Sequence, residues 1–129
     1  DTRRIIDALM ESERAVALPR SRPGGSMDVA LYDGLLAEGL YGIPQPPEDA
    51  PELRPGEGDL ILVPALCCDA AGVRLGRGGG YYDRYLAEHR AVTACLCRER
   101  LLLEKVPRDW NDFAVACVIT ERRIIKTGL

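Results

Sequence analysis

The chain is short of most features that would settle a function at once. It has a single histidine, His89, and no C-x-x-C pair among Cys67, Cys68, Cys95, Cys97 and Cys117. The paired spacings of zinc and dithiol redox sites are therefore missing. All five cysteines lie in or beside apolar stretches, where a thiol behaves as a small hydrophobe, so buried reduced thiols and a cytoplasmic protein are expected. Basic residues (17) do not outnumber acidic ones (20), and the net charge is −3. That balance gives no support to non-specific nucleic-acid binding, which relies on a basic surface to displace phosphate counterions. No apolar run approaches the roughly 18 residues of a membrane span, and no charged-then-apolar leader opens the chain. A soluble monomer with neither a nucleic-acid nor a membrane partner is expected. The first residue is not methionine either: Asp1-Thr2 reads as a helix N-cap with nothing to enter from, and native sequence upstream is expected to be missing.

What is present is one domain's worth of globular sequence: 129 residues, 47% hydrophobic and 29% charged, enough to bury a core. Ile5, Ile6, Leu9 and Met10 recur at helical spacing over Thr2 to Glu13, predicting an amphipathic helix packed on a sheet. A short strand is expected over 14–20, then a turn at "SRPGGS" and weaker strand-like pieces over 27–46. Five prolines between Pro44 and Pro55, with Glu48, Asp49 and Glu52 read as solvated charge, predict an extended surface connection. "DLILVPAL" (59–66) has no polar alternation and predicts a strand buried on both faces. Similar runs return at 91–96 and 114–120, separated by helices expected over 81–89 and 99–106. Strand, helix, strand, helix, strand is the pattern of parallel βαβ units.

The stretch "VRLGRGGGYYDRYL" (73–86) places Gly76, Gly78, Gly79 and Gly80 just ahead of a helix. Glycines let the main chain approach a ligand and take positive φ angles, and a following helix aims its amides and dipole at the loop. Arg74 and Arg77 bracket the first glycine and suit phosphate oxygens. Asp83, in the first helical turn, could ligate Mg²⁺ on the same phosphates. A P-loop is excluded because no Lys-Ser/Thr follows. The dinucleotide fingerprint is excluded because its last position is Tyr81 and the glycines lie about a dozen residues past the strand. The residues alone leave open a generic anion seat or a glycine turn with solvated arginines; the adjacent Tyr81 and Tyr82 weigh against a slack linker.

"DLILVPALCCDAAGVRLGRGGGYYDRYL" resembles the signature of 5-formyltetrahydrofolate cyclo-ligases. "DTRRII", "VALPR", "GIPQP" and "VITE" match further family segments in order. The resemblance implies a three-layer α/β/α fold with a mostly parallel sheet, of the kind found in sugar-phosphate isomerases and CoA-transferases. It implies ATP-dependent closure of 5-formyltetrahydrofolate to 5,10-methenyltetrahydrofolate, in which the formyl oxygen takes the γ-phosphate and N10 then displaces it as phosphate. Carried over by residue, Arg74, Leu75, Gly76, Arg77, Gly78, Gly79, Gly80, Tyr81 and Tyr82 would bind ATP. Gly78 to Tyr82 would also meet the folate, Arg77 and Tyr82 would act in catalysis, and Asp83 would ligate Mg²⁺. Three departures stand out. The family's N-terminal Lys, Arg and Glu have no counterpart here; Ala116 occupies a family Asp position that ligates Mg²⁺ in some members; and Pro64-Ala65-Leu66 replaces Pro-Gly-Leu. A non-catalytic nucleotide- or folate-binding homologue is the alternative these departures favour. A different α/β enzyme with a phosphorylated ligand is disfavoured by Gly-Tyr-Tyr-Asp. Elsewhere, His89 is expected to meet the last carbonyls of its helix and Asp69 to cap the loop or assist at the site. Asp112 is expected to make a polar contact at a strand entry, and Trp110 and Phe113 to cover the core's edge, with a wall of a pterin pocket as the alternative for Trp110.

Overall fold

Helix α1 runs from Arg3 to Glu11, and its start is held by the side chain of Asp1, whose Oδ1 accepts from Arg3 N at 3.0 Å. It stops where Glu13 turns left-handed at φ 59°, with Glu13 N on Met10 O and Arg14 N on Leu9 O. This satisfies carbonyls that a helix end would otherwise leave unpaired. Ile5, Ile6, Leu9 and Met10 are half-buried, and no residue of the helix is fully buried.

The computed structural model describes residues 1–128, which group into a unit over Asp1–Arg54 and a second unit beginning at Pro55. In the first, β1 (Ala17–Ser21) and β2 (Met27–Leu31) form an antiparallel hairpin. Short strands β3 (Ala37–Glu38) and β4 (Pro44–Gln45) pair with each other, and β5 (Glu52–Leu53) joins the free edge of β2. The proline-rich connection thus carries two strand fragments. It is anchored by Arg20, 3% exposed, whose Nε and Nη2 fork onto Asp28 at 2.8 and 3.1 Å. Its Nη1 donates to the carbonyls of Pro47 and Ala50 at 2.8 and 3.1 Å. A guanidinium is rarely buried without this degree of satisfaction.

The second unit is α/β. Its larger sheet contains β6 (Leu60–Val63), β9 (Val92–Leu96), β11 (Cys117–Ile119) and β12 (Ile124–Lys126), in the order β12-β11-β9-β6. The pairs β6–β9 and β9–β11 are parallel, as the run-helix-run pattern predicts, and β12 returns antiparallel. Helix α2 (Tyr81–Glu88) crosses from β6 to β9. Between β6 and α2 stands a hairpin of β7 (Cys67–Asp69) and β8 (Arg74–Leu75), with β10 (Leu102–Leu103) parallel to β7 on its other side. The hairpin explains why the glycines lie so far beyond the strand.

Asp69 organises that hairpin and takes the structural of its two expected roles. It is 4% exposed; Oδ1 accepts from Ala71 N and Val73 N, and Oδ2 from Val106 N at 2.9 Å. The core gathers Val63, Cys68, Leu86, Cys95, Val115 and Val118, with Phe113 and Tyr82 packed against it. All five cysteines are free; Cys68 and Cys95 are fully buried and the other three half-buried. A hydrogen bond to Cys95 and burial push the Cys68 thiol well above its ordinary pKa, so it stays protonated and inert.

Three expectations need correcting. β6 is not buried on both faces: it lies at the edge of its sheet, and Leu60 is 58% exposed while Val63 is buried. Residues 99–106 are not a helix but a 3₁₀ turn (Glu99–Leu101) leading into β10. Three adjacent leucines carry no helical stripe, and the edge of β7 offers backbone partners instead. Trp110 does not cover the core, being 96% exposed.

Candidate functional site

The parallel strands β6, β9 and β11 direct their carboxyl ends toward one side of the sheet, where ligands of open α/β folds gather. The glycine loop lies at that end, tied down by Arg74, whose Nη1 donates to Pro64 O, just past β6, at 3.2 Å. Its Nη2 donates to Asp83 Oδ1 at 3.0 Å, and the guanidinium lies 5.9 Å from the centre of the Tyr82 ring. The same Asp83 oxygen accepts from Phe113 N at 3.1 Å. Arg74 is 8% exposed and therefore serves as an internal strut joining β6, β8 and the first turn of α2. Burial pushes the Tyr82 phenol above its ordinary pKa, against an opposing pull from Arg74; at neutral pH it is protonated.

The loop has a defined shape. Gly78 and Gly80 have φ of 91° and 68°, left-handed values that side chains seldom adopt. Gly80 also caps α2, whose amides and dipole face back along the chain. Arg77 is exposed and forms no ion pair among the described residues, so its fork remains available to an anion. Of the two arginines expected to grip phosphate, Arg74 is enclosed by protein partners and Arg77 faces solvent.

At the ends of β9 and β11 a second polar group closes the turn before β12. Thr120 Oγ1 donates to Glu99 Oε2 at 2.6 Å, Arg123 pairs with Glu99 Oε1 at 2.7 Å, and Glu99 N donates to Glu121 Oε2 at 2.9 Å. The Thr120 hydrogen bond and Arg123 hold the Glu99 carboxyl below its usual range. Nothing local in the sequence marks Glu99 or Arg123, because 21 residues or more separate the partners. Arg84 does carry a local signal: it follows Tyr81 and Gly80 by three and four positions, spacings that share one helix face. The other expectations are located too: His89 Nδ1 lies 2.9 Å from Tyr85 O, and Asp112 Oδ2 accepts from Asp109 N at 2.9 Å.

The model of the 5-formyltetrahydrofolate cyclo-ligase family matches residues 1–121, a span that takes in the glycine loop, its struts and Thr120-Glu121. The chain belongs to the 5-formyltetrahydrofolate cyclo-ligase family. It is similar to the 5-formyltetrahydrofolate cyclo-ligase of Mycolicibacterium smegmatis, 37% identical over 129 residues covering 92% of this chain and 66% of that protein. The mouse cyclo-ligase is 40% identical over 136 residues, covering 94% and 67%. The chain thus spans about two thirds of these relatives' length. Among solved structures, the 5,10-methenyltetrahydrofolate synthetase of Aquifex aeolicus superposes with a TM-score of 0.84 at 27% identity, covering all of this chain and 66% of that one. The Mycoplasma pneumoniae synthetase, at 17% identity and a TM-score of 0.67, shares the fold. This chain's α/β fold, with its parallel and antiparallel pairs, thus matches that of the solved Aquifex aeolicus synthetase.

A cyclo-ligase that used Mg²⁺ here would find few protein donors. Among the described residues no group of three or more His, Cys, Asp or Glu side chains could hold a metal ion. Asp83 Oδ1 is already shared by Arg74 and Phe113, leaving Oδ2. That fits an ion that arrives on phosphates and takes one protein oxygen, a common arrangement for Mg²⁺, and does not fit an all-protein cage. Among the described residues no helix is long and apolar enough to cross a membrane.

Proposed function

We propose that this chain carries the ATP-dependent ring closure of 5-formyltetrahydrofolate to 5,10-methenyltetrahydrofolate, with release of ADP and phosphate. The observation that carries the reading is the glycine loop: left-handed at Gly78 and Gly80, capping α2 and flanked by an exposed Arg77, in a chain whose family match runs over residues 1–121. That match crosses both compact units, which supports treating 1–129 as one functional domain.

MgATP supplies a phosphoryl group that turns the formyl oxygen, a poor leaving group, into a good one. The protein's task is then alignment and charge neutralisation. Backbone amides around Gly76 to Tyr82, with Leu75 at the loop's entry, would seat the phosphates, and Arg77 would neutralise charge that develops on them. The Tyr82 phenol, protonated and held against Arg74, would donate a hydrogen bond rather than act as a base. Gly78, Gly79, Gly80 and Tyr81 would border the folate, and Asp83 Oδ2 would contribute one oxygen to the magnesium.

Ala116 favours a second reading, a nucleotide- or folate-binding homologue without turnover, because a methyl group stands where the resembling family has a carboxylate. An assay separates the two. The chain, alone and extended to its relatives' length, is incubated with 5-formyltetrahydrofolate and MgATP while methenyl product and ADP are followed together. Equal amounts of both products support the ligase, ATP binding without either supports the second reading, and no binding with no product sinks both.

A further inference from the structure

Three consecutive glycines should be the loosest part of the chain, since glycine loses more backbone freedom on ordering than any other residue. A loop that had to order around its ligand would bind weakly, because ordering subtracts from affinity. In this structure the glycines are braced from within α2. Arg84 Nη2 donates to Gly79 O at 2.6 Å, a short charge-assisted bond. Its guanidinium carbon lies 5.7 Å from the centre of the Tyr81 ring, in cation–π range.

The glycines leave space for this brace. A Cβ on Gly80 would stand 2.7 Å from Arg84 Nη1, and one on Gly79 would stand 2.8 Å from the Tyr81 ring. Gly80 is thus constrained twice, by its left-handed φ of 68° and by the guanidinium beside it. The hydrogen bond also has a direction. A trans peptide is planar and sets C=O and N–H on opposite sides, so fixing the Gly79 carbonyl on Arg84 fixes the Gly80 N–H facing the other way. It also keeps that carbonyl's negative end on a cation.

We propose that Arg84 is a positioning residue: it pins the Gly79–Gly80 peptide and so presents the glycine loop already shaped for the nucleotide's phosphates. The proposal rests on the reading of this loop as the ATP seat, and its test has one arm that does not. Amide hydrogen exchange of residues 76–82 is measured without nucleotide for the parent, Arg84→Ala and Arg84→Lys. ATP affinity, the KM for ATP and kcat are measured alongside.

Arg84→Ala should speed loop exchange about tenfold and weaken ATP binding about fivefold, with kcat at saturating ATP within about twofold of the parent. Arg84→Lys, which can still donate to the Gly79 carbonyl, should recover part of both. Loop exchange in Arg84→Ala within about twofold of the parent overturns the brace whatever the ligand. Faster exchange with unchanged ATP affinity overturns its role toward nucleotide. A parent that binds no ATP refutes the ATP seat and with it that role, and the exchange arm then decides the brace by itself.

Discussion

Two arginines three residues apart do different work, and burial is what separates them. Arg74 is enclosed and divided among Pro64 O, Asp83 and the Tyr82 ring. Arg74→Ala leaves Asp83 without its cation and should lower stability by about 2–3 kcal/mol, less than the ~3–5 kcal/mol of a fully buried pair because Asp83 stays partly exposed; urea unfolding would show it. Arg77 is exposed, so Arg77→Ala should change stability by less than about 0.5 kcal/mol. It should nonetheless weaken ATP binding about tenfold, the value of one charge-assisted hydrogen bond. Equal loss of stability in the two variants would contradict this division. The sequence shows both arginines beside Gly76 and gives no means of ranking them. Their solvent exposure depends on Asp83, nine residues past Arg74, and on Pro64, ten residues before it.

At the scale of elements, the glycine loop and the acidic networks make separate predictions. Gly78→Ala meets no atom within 4 Å but keeps a φ of 91°, so it should cost about 1–3 kcal/mol of backbone strain. Gly80→Ala, at a φ of 68°, sits inside the left-handed α region and meets only the movable end of the Arg84 side chain. It should lose no more stability than Gly78→Ala but more ATP affinity, because the guanidinium is pushed off the loop; thermal unfolding and titration would separate the two. Asp28 would be pushed up by its partial burial, yet the hydrogen bonds from Arg20 and Arg22 override that and hold its carboxyl below the ordinary value. Glu99 is lowered by Thr120 and Arg123. A depressed folded pKa gives stability that is present above the unfolded value, about 4 for these groups, and is lost as pH falls through the folded value. Thermal midpoints should therefore hold steady from pH 7 to about 5 and decline below about 4, with a shallower decline in Asp28→Asn and Glu99→Gln. The "VITE" stretch was recognisable as a family segment, but its partner Glu99 lies 21 residues before Thr120 and only the parallel pairing of β9 and β11 brings them together.

At the scale of the whole molecule, one buried cluster of the second unit supports the site. Leu86, 2% exposed, comes from the helix that begins at the glycine loop, and it packs with Val63 and Cys95 of the parallel strands and with Val118 of β11. Leu86→Ala should cost about 2–5 kcal/mol, the usual range for a buried leucine. If α2 is positioned by this contact, the variant should lose nucleotide affinity at temperatures where it is still folded. The predicted "ERLLLEKV" helix fails at this scale as well. Its leucines are apolar in either conformation, and the presence of β7's unsatisfied edge chose strand for Leu102 and Leu103.

The parallel strand-helix-strand succession was legible in the chain alone, because unbroken apolar runs and a helix between them carry their own periodicity. So were the glycine loop ahead of α2 and the family, whose long motif is local in the chain. Folding in three dimensions was needed to show which arginine is a strut, that Asp69 is a staple, that β6 lies at an edge, and that Arg84 reaches back to the glycines. Each of these turns on which groups meet across tens of residues or across a helix turn, and on how much water remains at the meeting point. Composition and spacing do not encode that.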